Sequence, residues 1–415
     1  MTTLMIEPSE LTGTVTVPPS KSMAHRAVIC AGLATGQSII RNIQLSDDII
    51  ATMEGMRAFG ATIEQDGNTL IIDGCGEAVA RTNQEIDCNE SGSTLRFFVP
   101  LATLFEGPTH FVGRGKLGQR PLETYRELFE RQDLRYEAGT SEQLDLTIEG
   151  RLEPGTYEMR GDISSQFITG MLLTLPLLDG DSTIEITTHL ESKGYIDLTL
   201  SVLSAFGIII KHDDDYRTFE IKGNQRYHAQ DYTVEGDYSQ AAFWLSAQLL
   251  GNKIKVNGLD QKSLQGDREI VHILEQLSSG EEERTIDGSQ VPDIIPTVAL
   301  AASLSKGKTK LINLERLRIK ESDRLVATQK ELSALGAQIE IVGDQLHIKG
   351  VQTLKGGAEV WSHKDHRMAM MLAVASTVCQ EPIQLKDSEC VKKSYPDFWE
   401  VFKEVGGKID ERSMG

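Results

Sequence analysis

An apolar, helix-like run recurs six times along this chain, and that recurrence constrains the fold more than any other feature. The runs open near His25 (HRAVICAGLATGQSIIRNI), Thr94 (TLRFFVPLATLFEGPTHFVG), Ser165 (SQFITGMLLTLPLLDGDSTIEI), Ser239 (SQAAFWLSAQLLGNKIKVNGL), Asp293 (DIIPTVALAASLSKGKTKLINL) and His366 (HRMAMMLAVASTVCQEPIQLKD). Each starts at a polar residue, continues as an apolar helix and gives way to a strand-like tail. Successive openings are 69, 71, 74, 54 and 73 residues apart. Amphipathic helices that run into hairpins lie between them, as in the stretches from Asp48 and from Asp323. Gly60 and Gly336 are expected as left-handed helix caps. Asp66-Gly67-Asn68 and Gly343-Asp344 are expected as hairpin turns. Solenoid periods are usually shorter than about 50 residues, so compact repeated subdomains are predicted instead. The expected class is α/β (α+β), with two similar domains of three repeats each. The polar break Lys222-Gly223-Asn224-Gln225-Arg226 puts their joint near residues 226–234. A cleft between two such domains is the default ligand site.

Composition bounds the partners. With 42 Lys and Arg against 61 Asp and Glu, the 415-residue chain carries a formal charge of −19. Nucleic acids and anionic membrane surfaces demand a basic face, so neither is expected as a partner. A small anion is not excluded, because a few convergent cations can dominate one cleft. The five cysteines, Cys30, Cys75, Cys88, Cys379 and Cys390, include no CxxC pair. Neither a disulfide framework nor a zinc site is therefore expected. The first ten residues lack the pattern of a targeting leader. No stretch approaches the roughly 18 apolar residues of a membrane span, and a cytoplasmic protein is expected.

Cations gather at the helix openings. In Pro18-Pro19-Ser20-Lys21-Ser22-Met23-Ala24-His25-Arg26 the prolines stop a strand, and Ser20 or Ser22 can cap a helix. That helix buries Ala24, Ala27, Val28 and Ala31 at i, i+3, i+4 and i+7. Lys21 and Arg26 then sit near a helix N-terminus, which disfavours cations and favours a bound anion. Two solvated cations at a plain turn are the alternative, and His25 by itself reads as a packing residue. Glu90-Ser91-Gly92-Ser93-Thr94 can expose backbone N–H groups to an anion or simply cap a helix. Gly118-Gln119-Arg120-Pro121 places an arginine before a proline suited to the first helical position. Ser164-Ser165-Gln166 and Ser192-Lys193-Gly194-Tyr195 open further helices. Lys320 and Arg324 are four apart and share a face if their helix starts early. Asp365-His366-Arg367 precedes a core stripe of Met368, Met371, Leu372 and Ala375, and Lys392-Lys393 repeats the theme. Small, multiply anionic ligands are the expected class.

The motifs PPSKSMAHRA (18–27), SGSTLR (91–96), SSQF (164–167), RIKESDRL (318–325) and DHRMAM (365–370) span the chain in order. Together they resemble the 5-enolpyruvylshikimate-3-phosphate synthases, a family of enolpyruvyl transferases. The resemblance implies two domains of three βαβαββ units each, an inside-out α/β barrel with the helices inside and the active site in the interdomain cleft. It divides the chain into 20–232, mainly for shikimate 3-phosphate, and 1–19 with 233–415, for phosphoenolpyruvate and acid–base work. It further implies transfer of the enolpyruvyl group of phosphoenolpyruvate to the 5-hydroxyl of shikimate 3-phosphate through a tetrahedral adduct.

By the same resemblance Lys21, Ser22, Arg26, Ser164, Ser165, Gln166, Ser192, Tyr195, Asp293 and Lys320 would hold shikimate 3-phosphate. Lys21, Gly92, Arg120, Gln166, Arg324, His366, Arg367 and Lys393 would surround phosphoenolpyruvate. Asp293 would take the 5-hydroxyl proton, and Glu321, with Lys21, would handle the proton at carbon 3. No metal or organic cofactor is implied, and a monomer acting on small molecules is expected. Glu90 and Arg316 stand where the family often has asparagine, so no role is carried to them. The sister transferase acting on UDP-N-acetylglucosamine has a reactive cysteine in the loop that here reads Gly115-Lys116-Leu117-Gly118-Gln119-Arg120. This chain has none there. A non-catalytic anion-binding repeat protein is the remaining alternative, and Asp293 and Glu321 beside the cations speak against it.

Overall fold

The six apolar runs have no polar face to offer water, and helices of that kind are buried on all sides. The computed structural model describes residues 2–76, 84–140 and 142–412. It divides into two units, one of residues 19–235 and one of residues 1–18 with 236–415.

In the first unit the buried helices are α1 (Lys21–Leu33), α3 (Gly92–Ala102) and α5 (Ser165–Thr174). Each is followed in sequence by one of α2 (Asp47–Phe59), α4 (Glu123–Glu130) and α6 (Lys193–Ala205), whose apolar stripes close the core from outside. Each repeat contributes one four-stranded sheet. Strand 84–87 pairs parallel with 109–113 across the buried α3, and the hairpin 135–138 and 144–149 then adds two antiparallel strands. Strands 156–159, 182–186, 210–212 and 218–221 repeat this around α5. Around α1 the first strand arrives late, because Asp231–Thr233 returns to pair with Gln37–Arg41. Residues 226–234, expected as a joint, are thus integrated into this unit, and the chain leaves it between Glu235 and Gly236.

The second unit is built likewise on α7 (Tyr238–Leu249), α9 (Ile295–Leu304) and α11 (His366–Ser376), with α8 (Ile270–Ser278), α10 (Arg324–Ala334) and α12 (Phe398–Glu404) outside. All eleven residues of α11 are buried, including the methionine stripe. Strand Thr3–Glu7 completes the last sheet, lying between Ile383–Lys386 and Lys408–Arg412. Strand Thr12–Thr16 pairs parallel with Lys253–Asn257 in a two-stranded sheet. That repeat has no closing hairpin: α8 leads directly to strand Glu283–Asp287, which accounts for the short 54-residue spacing. Gly60 and Gly336 do take positive φ, 107° and 102°, at their helix ends. No helix among the described residues is long and apolar enough to cross a membrane.

Candidate active site

In the first unit the three buried helices present capped N-termini. Ser20, Ser91 and Ser164 are the caps, their Oγ atoms accepting from the N–H groups of Met23, Thr94 and Gln166. Lys21 at the first position of α1 is answered by Asp48 of α2, at 2.6 Å. Arg26 is buried and fully engaged: Nε donates to Thr199 Oγ1 at 2.7 Å, Nη1 to the Ser22 carbonyl at 2.7 Å and Nη2 to the Tyr195 carbonyl at 3.2 Å. Ser22, Arg26 and Tyr195 are thereby brought together. Burial pulls the Arg26 guanidinium down to about 10. His25 is a packing residue as expected, its Nδ1 2.7 Å from Thr52 Oγ1. Burial, then the charges of Lys21 and Arg26, hold its imidazole well below the usual range.

A second cluster forms around α3. Gln166 receives Arg96 Nη1 on its Oε1 at 2.7 Å and gives its Nε2 to Ser93 at 2.9 Å. Gly92 lies directly against Arg120, so that a Cβ there would fall 2.5 Å from Nη1. Ser165 and Ser192 are buried, and Ser192, whose carbonyl accepts the Tyr195 N–H at 3.1 Å, takes φ 55° as the cap of α6. Pro121 does not open a helix, since Leu122 is the cap and α4 begins at Glu123. Arg96 Nη2 instead donates to the Pro121 carbonyl at 3.1 Å and pins the strap that carries Arg120.

In the second unit one carboxylate gathers three cations. Asp293, just ahead of α9, has Oδ1 2.8 Å from Arg324 Nη1 and 3.2 Å from Lys320 Nζ, while Oδ2 lies 3.2 Å from Arg367 Nη2. Arg324, only 1% exposed, also reaches Glu321 at 2.6 Å and Asp365 at 2.7 Å. Against the cost of burial, Asp365, Glu321 and Asp293 together raise Arg324 above its ordinary range. Asp365, itself fully buried, further takes Ser322 Oγ at 3.0 Å and caps the Arg367 N–H at 3.0 Å. Lys320 and Arg324 do not share a helical face: the 3₁₀ turn ends at Ile319, Lys320 is extended, and α10 starts at Arg324. They converge on Asp293 all the same. Burial, only partly offset by Asp293, depresses Lys320 to about 8. His366 is buried next to Asp365, and Lys393 is buried at the end of the 3₁₀ segment Ser388–Lys393.

Sequence reasoning missed Asp48, the hub role of Asp365, and a buried pair formed by Asp267 and Ser239 Oγ. Burial and then the charge of Asp293 push Asp267 up to about 6. No signal marked Asp48, since acids in a first helical turn are ordinary. No group of three or more metal-ligating side chains is found among the described residues.

The family model for EPSP synthase (3-phosphoshikimate 1-carboxyvinyltransferase) matches residues 6–402. The chain belongs to the EPSP synthase family. A 3-phosphoshikimate 1-carboxyvinyltransferase of Clostridium botulinum (strain Alaska E43 / Type E3) is 55% identical over 434 aligned positions that cover both chains fully. That of Clostridioides difficile (strain 630) is 54% identical at the same coverage. The solved EPSP synthase of Acinetobacter baumannii shares the fold, with TM-score 0.81, 22% identity and full coverage of both chains. The enolpyruvyl transferase NikO of Streptomyces tendae superposes with TM-score 0.78 at 17% identity, covering 100% of this chain and 99% of that one. The fold therefore serves more than one enolpyruvyl transferase, and the sequence match decides between them. As an EPSP synthase this chain is an enzyme of enolpyruvyl transfer.

Proposed function

We propose that this enzyme transfers the enolpyruvyl group of phosphoenolpyruvate to the 5-hydroxyl of shikimate 3-phosphate, releasing phosphate. The observation that carries the assignment of roles is the Asp293 carboxylate with Lys320, Arg324 and Arg367 within 3.2 Å. A carboxylate so surrounded is a weak base until arriving anions compete for its cations. Phosphate and carboxylate groups of the substrates supply that competition, leaving Asp293 to accept the 5-hydroxyl proton. The oxygen adds to carbon 2 of phosphoenolpyruvate while carbon 3 gains a proton from Glu321, with Lys21 assisting. The adduct then gives a carbon-3 proton back to the Glu321 carboxylate and expels phosphate, restoring the double bond. Fixed cations favour the adduct because its charge develops against donors already in place.

In this reading Ser22, Arg26, Gln166 and Tyr195 hold the shikimate portion. Ser164, Ser165, Ser192 and Lys320 take its 3-phosphate, and Gly92, Arg120, Gln166, Arg324, His366, Arg367 and Lys393, with Lys21, take phosphoenolpyruvate. The enzyme works as a cytoplasmic monomer without a cofactor. Phosphate release from phosphoenolpyruvate, with either shikimate 3-phosphate or UDP-N-acetylglucosamine as acceptor, tests this. Release only with shikimate 3-phosphate is expected. Release with neither, or only with the sugar nucleotide, refutes it. Lys21→Met and Glu321→Ala should each slow turnover by at least about 100-fold, the scale of acid–base roles.

A further inference from the structure

Two consecutive non-glycine residues, His363 (φ 54°) and Lys364 (φ 58°), take the left-handed conformation directly before Asp365. L side chains rarely adopt it, and a pair persists only where the surroundings over-determine it. The surroundings here come from α10. Its residues Arg324, Thr328 and Glu331 fall at i, i+4 and i+7, one stripe of the helix, and all three reach the segment 361–368. Arg324 holds Asp365, and Thr328 Oγ1 lies 3.6 Å from Met368 Sδ. Glu331, 3% exposed, takes the Trp361 N–H on Oε2 at 3.0 Å and His363 Nε2 on Oε1 at 2.8 Å. A carboxylate has no proton to give, so His363 donates from Nε2.

The turn is fixed from its other side as well. The Trp361 and His363 rings lie against each other, centroids 4.2 Å apart and planes tilted by 32°, and the Trp361 indole N–H donates to Asp387 at 2.8 Å. Ser362 Oγ donates to the Asp387 carbonyl and accepts the Lys364 N–H. A buried carboxylate is a costly way to hold an ordinary turn. What lies immediately beyond this one is Asp365, which orients Arg324 through two contacts and caps the helix bearing Arg367.

We propose that Glu331 and His363 are a positioning pair for the transfer reaction, holding the 361–364 turn so that Asp365 sets Arg324 and Arg367 for phosphoenolpyruvate. The inference rests on the function proposed above. It is tested by steady-state kinetics of the full chain, with each substrate varied at saturation of the other. Glu331→Ala and His363→Leu should each raise KM for phosphoenolpyruvate about tenfold, against at most about threefold for shikimate 3-phosphate and for kcat. The double variant should be no worse than the more affected single one. His363→Gln, whose amide N–H reaches a similar point, should return the phosphoenolpyruvate KM to within about threefold of the parent. If Glu331→Ala does not fold, Glu331→Gln, which turns an N–H toward one of the two donors, carries the same expectation.

A merely structural role would reduce the fraction of active enzyme, lowering kcat and leaving both KM values in place. That result, unchanged kinetics, or equal loss for both substrates overturns the positioning role while the parent remains active. A parent that releases no phosphate overturns the function and this inference together.

Discussion

Gly92→Ala offers a test in which binding and stability should move in opposite directions. Gly92 opens α3 and is not among the positive-φ glycines, so its backbone accepts alanine, which favours a helix by up to about 1 kcal/mol over glycine. The added Cβ would lie 2.5 Å from Arg120 Nη1, 2.9 Å from Cζ and 3.3 Å from Nη2. Comfortable contact begins near 3.5 Å, so the guanidinium must retreat by about 1 Å. That group ends a flexible side chain, and the fold tolerates the shift. Its ligand does not. A displacement of about 1 Å at a binding group costs up to about 100-fold. A charge-assisted hydrogen bond is worth about 1.5–3 kcal/mol, which corresponds to about 10- to 150-fold. The expected outcome is a fall of that size in kcat/KM for phosphoenolpyruvate, with KM for shikimate 3-phosphate within about threefold and thermal stability equal or higher. Initial-rate phosphate release and a thermal unfolding scan measure both. A kcat/KM within about threefold of the parent, or an equal loss for both substrates, refutes the reasoning.

Lys320, depressed to about 8, should give kcat/KM for shikimate 3-phosphate an alkaline limb near that pH, and Lys320→Arg should remove it. In stability the sign is the reverse: between about pH 8 and 10.4 the unfolded chain keeps a proton that the folded one has lost, so Lys320 makes unfolding harder as pH rises there. Asp267, raised to about 6, keeps a proton in the folded state that the unfolded chain sheds near pH 4. Its contribution is therefore lost as pH rises through 6, and Asp267→Asn should gain melting temperature relative to the parent at pH 8 but not at pH 4.5. Asp365→Asn keeps a good helix cap yet leaves the buried Arg324 short of a partner, so denaturant unfolding should show a loss of about 3–5 kcal/mol. A loss under about 1 kcal/mol would mean the hub is not held as described.

Much of this was legible in the residues, because caps and apolar runs are local. Ser20, Ser91 and Ser164 stand where a helix needs an acceptor, and a helix whose run from Met368 to Ala375 is wholly apolar, as in α11, has only one kind of home. The balance of charge was not local. Lys21 is answered by Asp48, 27 residues away, and Arg324 by Asp365, 41 residues away. Which carboxylate meets which cation depends on how helices pack, and spacing along the chain says nothing of it. The same limit explains Lys320 and Pro121. An i, i+4 pair shares a face only inside a helix, and Pro121 lies ahead of the Leu122 cap and so outside α4. The short 54-residue interval was visible, but it takes the paired strands to see that a hairpin is missing.

The split second unit also bears on how the protein is made. Strand Thr3–Glu7 is synthesised long before its partners Ile383–Lys386 and Lys408–Arg412. At about 5–20 residues per second, synthesis of the intervening roughly 400 residues leaves that strand waiting on the order of 20–80 s. Residues 19–235 can meanwhile complete all three of their sheets. The nascent chain must therefore carry an unpaired, largely apolar strand ahead of residues 19–235 until residues 383–412 have been made, and a product truncated before them would expose it permanently.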